Sequence, residues 1–291
     1  MKKINLIIAI LAFTALTVQA EVLLVENFEY ESGQAITTAN SDWFLHWGGE
    51  SSLVITEPAL TFTGYPGSNV GNALLIKDNV SNDMPQRKFT QVTEGDVFIA
   101  FLLEPTFAYS SGYFLSLRDD NSSAFNYCGR VYIVVDESYN AHIGLSFFKQ
   151  NIVAAEYTDK ILEADKTYLA VMRYSVIPGN NNDEVSLFLF DEMPQTMPAT
   201  PLIGPIANPN QQSSPDINPA RVVLRSYDAD DLLTFDGLRV ATTFWEALGI
   251  DEPTEIENQK STIKNHKLIL RNGHIIVTDG DSEYSLLGQK K

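Results

Sequence analysis

From Glu21 to about Leu248 the chain is a succession of short apolar or alternating runs, cut by clusters of Gly, Pro, Asn and Asp. The clearest runs are Leu53–Ile55, Ala73–Ile76, Val97–Leu103, Tyr113–Leu117, Val131–Val135, His142–Phe147, Tyr168–Tyr174, Val185–Phe190, Arg221–Arg225 and Leu232–Val240. In Val185-Ser186-Leu187-Phe188-Leu189-Phe190 the alternation has the two-residue period that sends successive side chains to opposite faces of a strand. Val, Ile, Phe and Tyr dominate these runs, as half-buried pleated surfaces require. A long helix needs apolar residues at i, i+3 and i+4, and almost no segment offers them. At most a short turn is expected near Phe244–Leu248. So many short strands predict an all-β chain, an antiparallel sandwich or jelly roll rather than a parallel α/β sheet.

The breaks in this pattern define the organisation. Met193 to Pro219 carries seven prolines, from Pro194 to Pro219, and proline removes ladder donors. The stretch is expected as a long surface loop and cannot be a central strand. After Leu248, residues 249–262 are polar and acidic and read as a linker. Residues 263–291 form a separate tail. In it Leu268–Arg271 and His274–Thr278 flank Asn272-Gly273, a strong two-residue hairpin turn, and Glu283–Leu287 follows. So short a segment buries little core, so a small β-meander is expected.

The first twenty residues have the parts of a secretory signal peptide. Lys2 and Lys3 supply the positive start, Ile4 to Leu16 is almost wholly apolar, and Val18-Gln19-Ala20 is a small-x-small cleavage site. The apolar run falls short of the ~20 residues that a spanning helix needs. The expected mature chain begins at Glu21, is exported and spans no membrane. Losing Lys2 and Lys3 takes the formal charge from −17 to −19. Such acidity repels phosphate backbones, which argues against nucleic acid as a partner. The single cysteine, Cys128, excludes an internal disulfide and reads as a small core residue.

Catalytic signatures are missing. There is no Gly-x-Ser-x-Gly elbow, phosphate-binding loop or dinucleotide fingerprint. His46, His142, His266 and His274 lack metal-ligand spacing with each other or with Cys128. Asp183-Glu184 and Asp191-Glu192 flank the Val185–Phe190 strand where turns are expected, and Asp228 and Asp230, at i and i+2, precede the last strand with nothing to place a sugar between them. Aromatic side chains are the better candidates for ligand contact. Their flat faces stack on the apolar faces of sugars while amides and carboxylates bond the hydroxyls. Trp43, Trp47 and Tyr65 near the N-terminal strands, with Tyr109 and Tyr113 around Ser110-Ser111-Gly112, are the residues singled out. Packing in the core is the competing role for the tryptophans.

Residues 22 to 248 resemble the concanavalin A-like lectin/glucanase superfamily. The resemblance lies in Leu24–Tyr30 (LVENFEY), Trp43–Gly49 (WFLHWGG), Gly71–Ile76 (GNALLI), Val97–Leu103, Thr167–Tyr174 (TYLAVMRY), Glu184–Phe190 and Phe235–Thr242 (FDGLRVAT). More narrowly it is similar to the laminin-G-like sandwiches of exported bacterial proteins. The Glu-x-Asp-x-x-Glu strand of the glucanases is absent, so the resemblance implies a non-catalytic module. It also implies a structural calcium ion held by Asp236, by Asn27 or Glu26, and by the Gly71 turn. Oxygen donors of that kind suit Ca²⁺. The tail resembles a short type IX secretion sorting domain of Bacteroidetes, which would place the protein outside the cell or on its surface, with the periplasm as the alternative. The expected function is binding of glycan or another surface polymer. The alternatives are a structural or adhesive surface protein, and a polysaccharide hydrolase or lyase.

Overall fold

The computed structural model describes residues 20–252 except 47–50, 78–83, 109, 122–125, 149–154, 210–215 and 226–231, together with 267–271, 274–278 and 283–285 of the tail. The chain divides into two compact units, one ending at Glu252 and the other spanning Pro253–Lys291. In chain order the first unit begins with β1 (Val22–Glu26), α1 (Ile36–Ala39), β2 (Trp43–Leu45), β3 (Val54–Thr56), β4 (Ala73–Lys77) and β5 (Pro85–Lys88). Next come β6 (Gly95–Phe107), β7 (Gly112–Arg118), β8 (Cys128–Val135), β9 (Ala141–Ser146) and β10 (Glu156–Leu162). It closes with β11 (Tyr168–Val176), β12 (Glu184–Phe190), β13 (Ile203–Ala207), β14 (Arg221–Leu224), β15 (Leu232–Ala241) and α2 (Phe244–Leu248).

These strands form two antiparallel sheets. The first has the order β13-β12-β11-β6-β15-β4-β3, with β1 added along β15. The second has the order β10-β9-β8-β7-β14-β5-β2. Alternation explains the core between them. Ile99, Phe101 and Leu103 of β6, Tyr168, Ala170 and Met172 of β11, and Leu233 and Phe235 of β15 supply one inner face. Leu115 and Leu117, Val131 and Ile133, Ile143 and Leu145, and Val222 and Leu224 supply the other. Phe101 stacks on Phe235 at 5.1 Å, and Phe114 meets both rings edge-on. Cys128 is buried here as a small core residue, and burial pushes its thiol pKa up.

A second apolar layer lies on the outer face of the first sheet. Phe98, Ala100 and Leu102, with Leu169, Val171 and Phe188, pack under Leu60, Phe62 and Tyr65 and under α2. The sequence Thr243-Phe244-Trp245-Glu246 explains the helix start. Thr243 Oγ1 accepts from Glu246 N, and Gly249 ends the helix in the left-handed conformation. The expected turn is therefore a capped helical turn. Trp245 sits edge-on to Phe244 in this outer layer.

One expectation needs correction. The proline-rich stretch from Met193 to Pro219 holds β13, which pairs with β12 at the edge of the first sheet. Pro205 is tolerated there because an edge strand can spare a ladder donor. In the tail, β16 (Lys267–Arg271), β17 (His274–Thr278) and β18 (Glu283–Ser285) form a three-stranded antiparallel meander. The proposed signal peptide, the linker and Asn272-Gly273 lie outside the described residues apart from positions 20 and 249–252.

Candidate functional site

Two of the rings proposed for stacking on sugar are core residues instead. Trp43 is 1% exposed, lies against Phe28, and donates its indole N–H to Glu26 Oε2 at 2.9 Å. Tyr65 is 3% exposed and donates its hydroxyl to the Gly237 carbonyl at 2.6 Å. A buried ring whose polar tip is already bonded offers no face to a ligand. Trp47 and Tyr109 lie outside the described residues. Tyr113 is partly exposed and is the one of the five that leads to a site.

Because Leu115, Leu117, Val131, Ile133, Ile143, Leu145, Val222 and Leu224 point into the core, the alternate residues of the second sheet point the other way. The strand pairing puts Tyr113 opposite Tyr132, Ser116 opposite Val223, and Arg118 opposite Arg221. Farther along the same face, Arg130 lies opposite Ser146, and Val134 opposite His142. On the other side Gln86 pairs with Val223 and with Phe44. Four of the eight arginines of an acidic chain, Arg118, Arg130, Arg221 and Arg225, gather around this outer face.

Their contacts make one connected cluster. The Arg130 and Arg225 guanidiniums lie over the Tyr113 ring, 4.4 and 4.5 Å from its centre, and Tyr113 meets Tyr132 edge-on. Arg130 Nε donates to the Tyr127 carbonyl. Arg118 and Arg221 each donate to the same Gln86 oxygen, at 3.0 and 3.1 Å. Arg118 also lies 2.5 Å from His46 Nδ1. Burial lowers the His46 pKa, and the positive charges of Arg118 and Arg221 lower it further. At the rim, exposed Asp120 takes Arg221 and Lys88, whose hydrogen bonds hold its carboxyl down at about 2. Two hydroxyls at this face, Ser116 Oγ and Tyr127 Oη, are buried and have no hydrogen-bond partner among the described residues.

None of these arginines was singled out from the sequence. The signal was present in the outward parity of Arg118, Arg130 and Arg221 on apolar strands, where a charged residue at a strand end passes for a turn marker.

Two of the three acidic pairs are engaged within the fold. Asp183 is buried and accepts from Tyr174 Oη at 2.7 Å and from Ile177 N at 2.8 Å. Asp191 and Glu192 line a cleft of about 810 Å³ with Glu104, Asp165 and Lys166, but Asp191 is bound by Lys160 and Lys166. Those lysines hold the Asp191 carboxyl below its ordinary value. Asp228 and Asp230 lie outside the described residues.

The residues expected to hold calcium divide in two. Glu26 does not fit, because its carboxylate is neutralised by Arg87 and accepts from Trp43, Tyr30 and Phe28 N. Asn27 and Gly71 do come together: a Cβ on Gly71, at φ 65°, would sit 2.3 Å from the Asn27 carbonyl oxygen. Glu26 pairs with Leu238, which brings Asn27 beside the Asp236–Gly237 step. Asn27 Oδ1 is a buried acceptor with no partner among the described residues. Asp236 is fully buried, accepts from Leu60 N and Gly237 N, and burial raises its pKa to about 7. An orphaned oxygen and a desolvated carboxylate at one junction suit a hard cation. Among the described residues no group of three or more His, Cys, Asp and Glu side chains is placed to hold a metal, so carbonyl and amide oxygens would complete the set.

No family model matches the sequence, and no curated protein matches it. Among solved structures the chain is similar to the globular domain of T. cruzi calreticulin, with a TM-score of 0.44, 13% identity and coverage of 78% of this chain and 90% of that one. It is similar to a glycosyl hydrolase family protein from Mycobacterium fortuitum (TM-score 0.40, 11% identity, 76% and 99% covered). It is also similar to the Emp46p carbohydrate recognition domain in its potassium-bound form (TM-score 0.37, 9% identity, 76% and 96% covered).

Proposed function

We propose that this chain is an exported, non-catalytic module that binds glycan through the outer face of its second sheet. The observation that carries this reading is the cluster around Tyr113. There a partly exposed ring, four guanidiniums, an amide and two hydroxyls without partners among the described residues converge on one side of the sheet. Rings supply stacking area and the polar groups fix orientation, which is the composition a sugar site needs. Asp236, Asn27 and the Gly71 turn would hold a structural calcium ion, whose charge would keep the Asp236 carboxylate ionised.

The test is a glycan array probed with the purified full-length chain. Binding to a defined class of polysaccharide is expected, and Tyr113→Ala should weaken it about tenfold, the equivalent of ~1.4 kcal/mol. Incubation with the bound polysaccharide should release no reducing sugar. An array with no bound glycan sinks the reading, and released sugar sinks its non-catalytic part.

A further inference from the structure

We infer that the chain has a second glycan site, a polar cleft on the outer face of the first sheet that takes a neutral sugar chain. It lies on the other side of the sandwich from Tyr113 and shares no residue with that face. The cleft follows from the strand register. Leu102 of β6, Leu169 of β11 and Phe190 of β12 belong to the apolar layer under Leu60, Phe62 and α2. Two residues farther toward one end of the sheet, the same face carries Glu104, Thr167 and, just past β12, Glu192. Thr234 of β15 pairs with Glu104, and Thr167 donates its hydroxyl to Glu104 Oε2 at 2.7 Å. Thr234, Glu104, Thr167 and Glu192 thus form a polar row across four strands, about 14 Å long at ~4.8 Å between neighbours. The row borders open space. Glu104, Thr167 and Glu192 line a cleft of about 810 Å³, and Thr234, Glu104 and Thr167 line an adjoining one of about 340 Å³. Each of the four side chains is at least partly exposed.

The walls of the cleft are fixed by contacts outside it. Leu60 N donates to Asp236, Phe62 N to Ser68 Oγ, and the Tyr65 hydroxyl to the Gly237 carbonyl, which holds the segment that carries Thr61 and Thr63. Elsewhere in the lining, Lys166 lies 3.2 Å from Asp191, and Asp165 N donates to the Pro105 carbonyl. Walls already in place spare the ligand the cost of ordering them. The lining then selects the ligand. Ionised carboxylates only accept hydrogen bonds, while threonine hydroxyls accept and donate. Such a row suits a partner dense in O–H donors, as the edge of a sugar chain is. Lys160 and Lys166 engage Asp191 and Glu163, so Glu104 and Glu192 leave the cleft negative. A carboxylated or sulfated sugar would meet like charge there. Phe62, the one aromatic residue of the lining, is 5% exposed, so recognition here works through hydrogen bonds and not through stacking.

A glycan array probed with the full-length chain tests this, with Tyr113→Ala and Glu104→Gln run beside the wild type. A set of neutral glycans should keep its signal in Tyr113→Ala and weaken about tenfold in Glu104→Gln, which removes hydrogen bonds to a charged acceptor. Oligogalacturonates and sulfated oligosaccharides should be missing from that set. In calorimetry with the strongest neutral glycan of the set, Thr234→Val should weaken binding about fivefold and leave the melting temperature unchanged. Thr234→Val removes one hydroxyl and keeps the side-chain shape, so it decides the matter if Glu104→Gln folds poorly. Glycans lost in Tyr113→Ala and untouched by both cleft substitutions would overturn the second site and leave the Tyr113 reading standing. A glycan lost equally in Tyr113→Ala and Glu104→Gln would overturn the separateness of the two sites. Anionic glycans weakened by Glu104→Gln would overturn the neutral class. An array with no bound glycan would overturn both sites.

Discussion

Glu26 is a buried carboxylate that joins three parts of the chain: it takes Arg87 of β5, the Trp43 indole of β2 and the Tyr30 hydroxyl. Removing the carboxylate takes the closest counter-ion from Arg87 and leaves it only the exposed Asp42 at 3.6 Å. Glu26→Ala should therefore cost about 3–5 kcal/mol in denaturant unfolding. A loss below about 1 kcal/mol would show that water replaces the carboxylate freely. Asp236 makes an opposite case, since burial raises its pKa from 3.8 to about 7. The folded state then holds this proton more tightly than the unfolded chain. Its contribution is fully present below about pH 4 and is lost as pH rises through about 7, at most ~4 kcal/mol. Asp236→Asn should abolish that part of the pH dependence of the melting temperature. Calcium should act against the same loss, so Ca²⁺ at pH 7.5 should raise the melting temperature of the wild type and leave Asp236→Asn unmoved. An EDTA-treated protein that melts unchanged when Ca²⁺ is added would remove the metal assignment. The sequence marked Trp43 and Asp236 as noteworthy but could not say that one is packed and the other desolvated. Burial is decided by distant residues: Phe28 and Glu26 for Trp43, Leu60 for Asp236.

The long, strongly alternating strands were readable from the sequence because their inner residues form an unbroken apolar row. Strands β2, β5, β10 and β13 were not. Pro85-Gln86-Arg87-Lys88 has the composition of a loop and is held as a strand by β14 and β2 on either side. Ile203-Gly204-Pro205-Ile206-Ala207 survives as an edge because only β12 needs its ladder groups. The same limit hid the arginine face. Core residues announce themselves by hydrophobicity, whereas outward residues become a site only when the sheet order brings β5, β14, β7 and β8 side by side. The one-turn helix α2 was readable as a short turn, and its capping residues explain why it is more than that. Thr243→Ala removes the acceptor for Glu246 N and should cost about 1 kcal/mol. If thermal melting is unmoved, the apolar contacts of Phe244 and Leu248 hold the helix without its cap.

A chain with no internal disulfide must fasten its ends through the sheet, and this fold does so by pairing β1 with β15. The pairing runs to the first residue beyond the expected cleavage site. Glu21 N donates to Thr242 Oγ1 at 2.9 Å, and Thr242 N donates back to the Glu21 carbonyl at 3.0 Å. Cleavage after Ala20 would thus leave every residue of the closing strand and add only a terminal amine. The fold therefore gives the exported reading a structural prediction. A chain beginning at Glu21 should unfold within about 0.5 kcal/mol of one that retains Ala20, the ordinary range for a change at an exposed terminus. A chain beginning at Asn27 should lose the strand, the Glu26 cluster and the cover of the β15 edge together. Against a typical stability of about 5–15 kcal/mol that loss should prevent folding at 37 °C. Intact-mass measurement of protein recovered outside the cell gives the other half of the test: its N-terminus should be Glu21. A mature N-terminus within β1 would contradict both the cleavage site and the closing role of the strand.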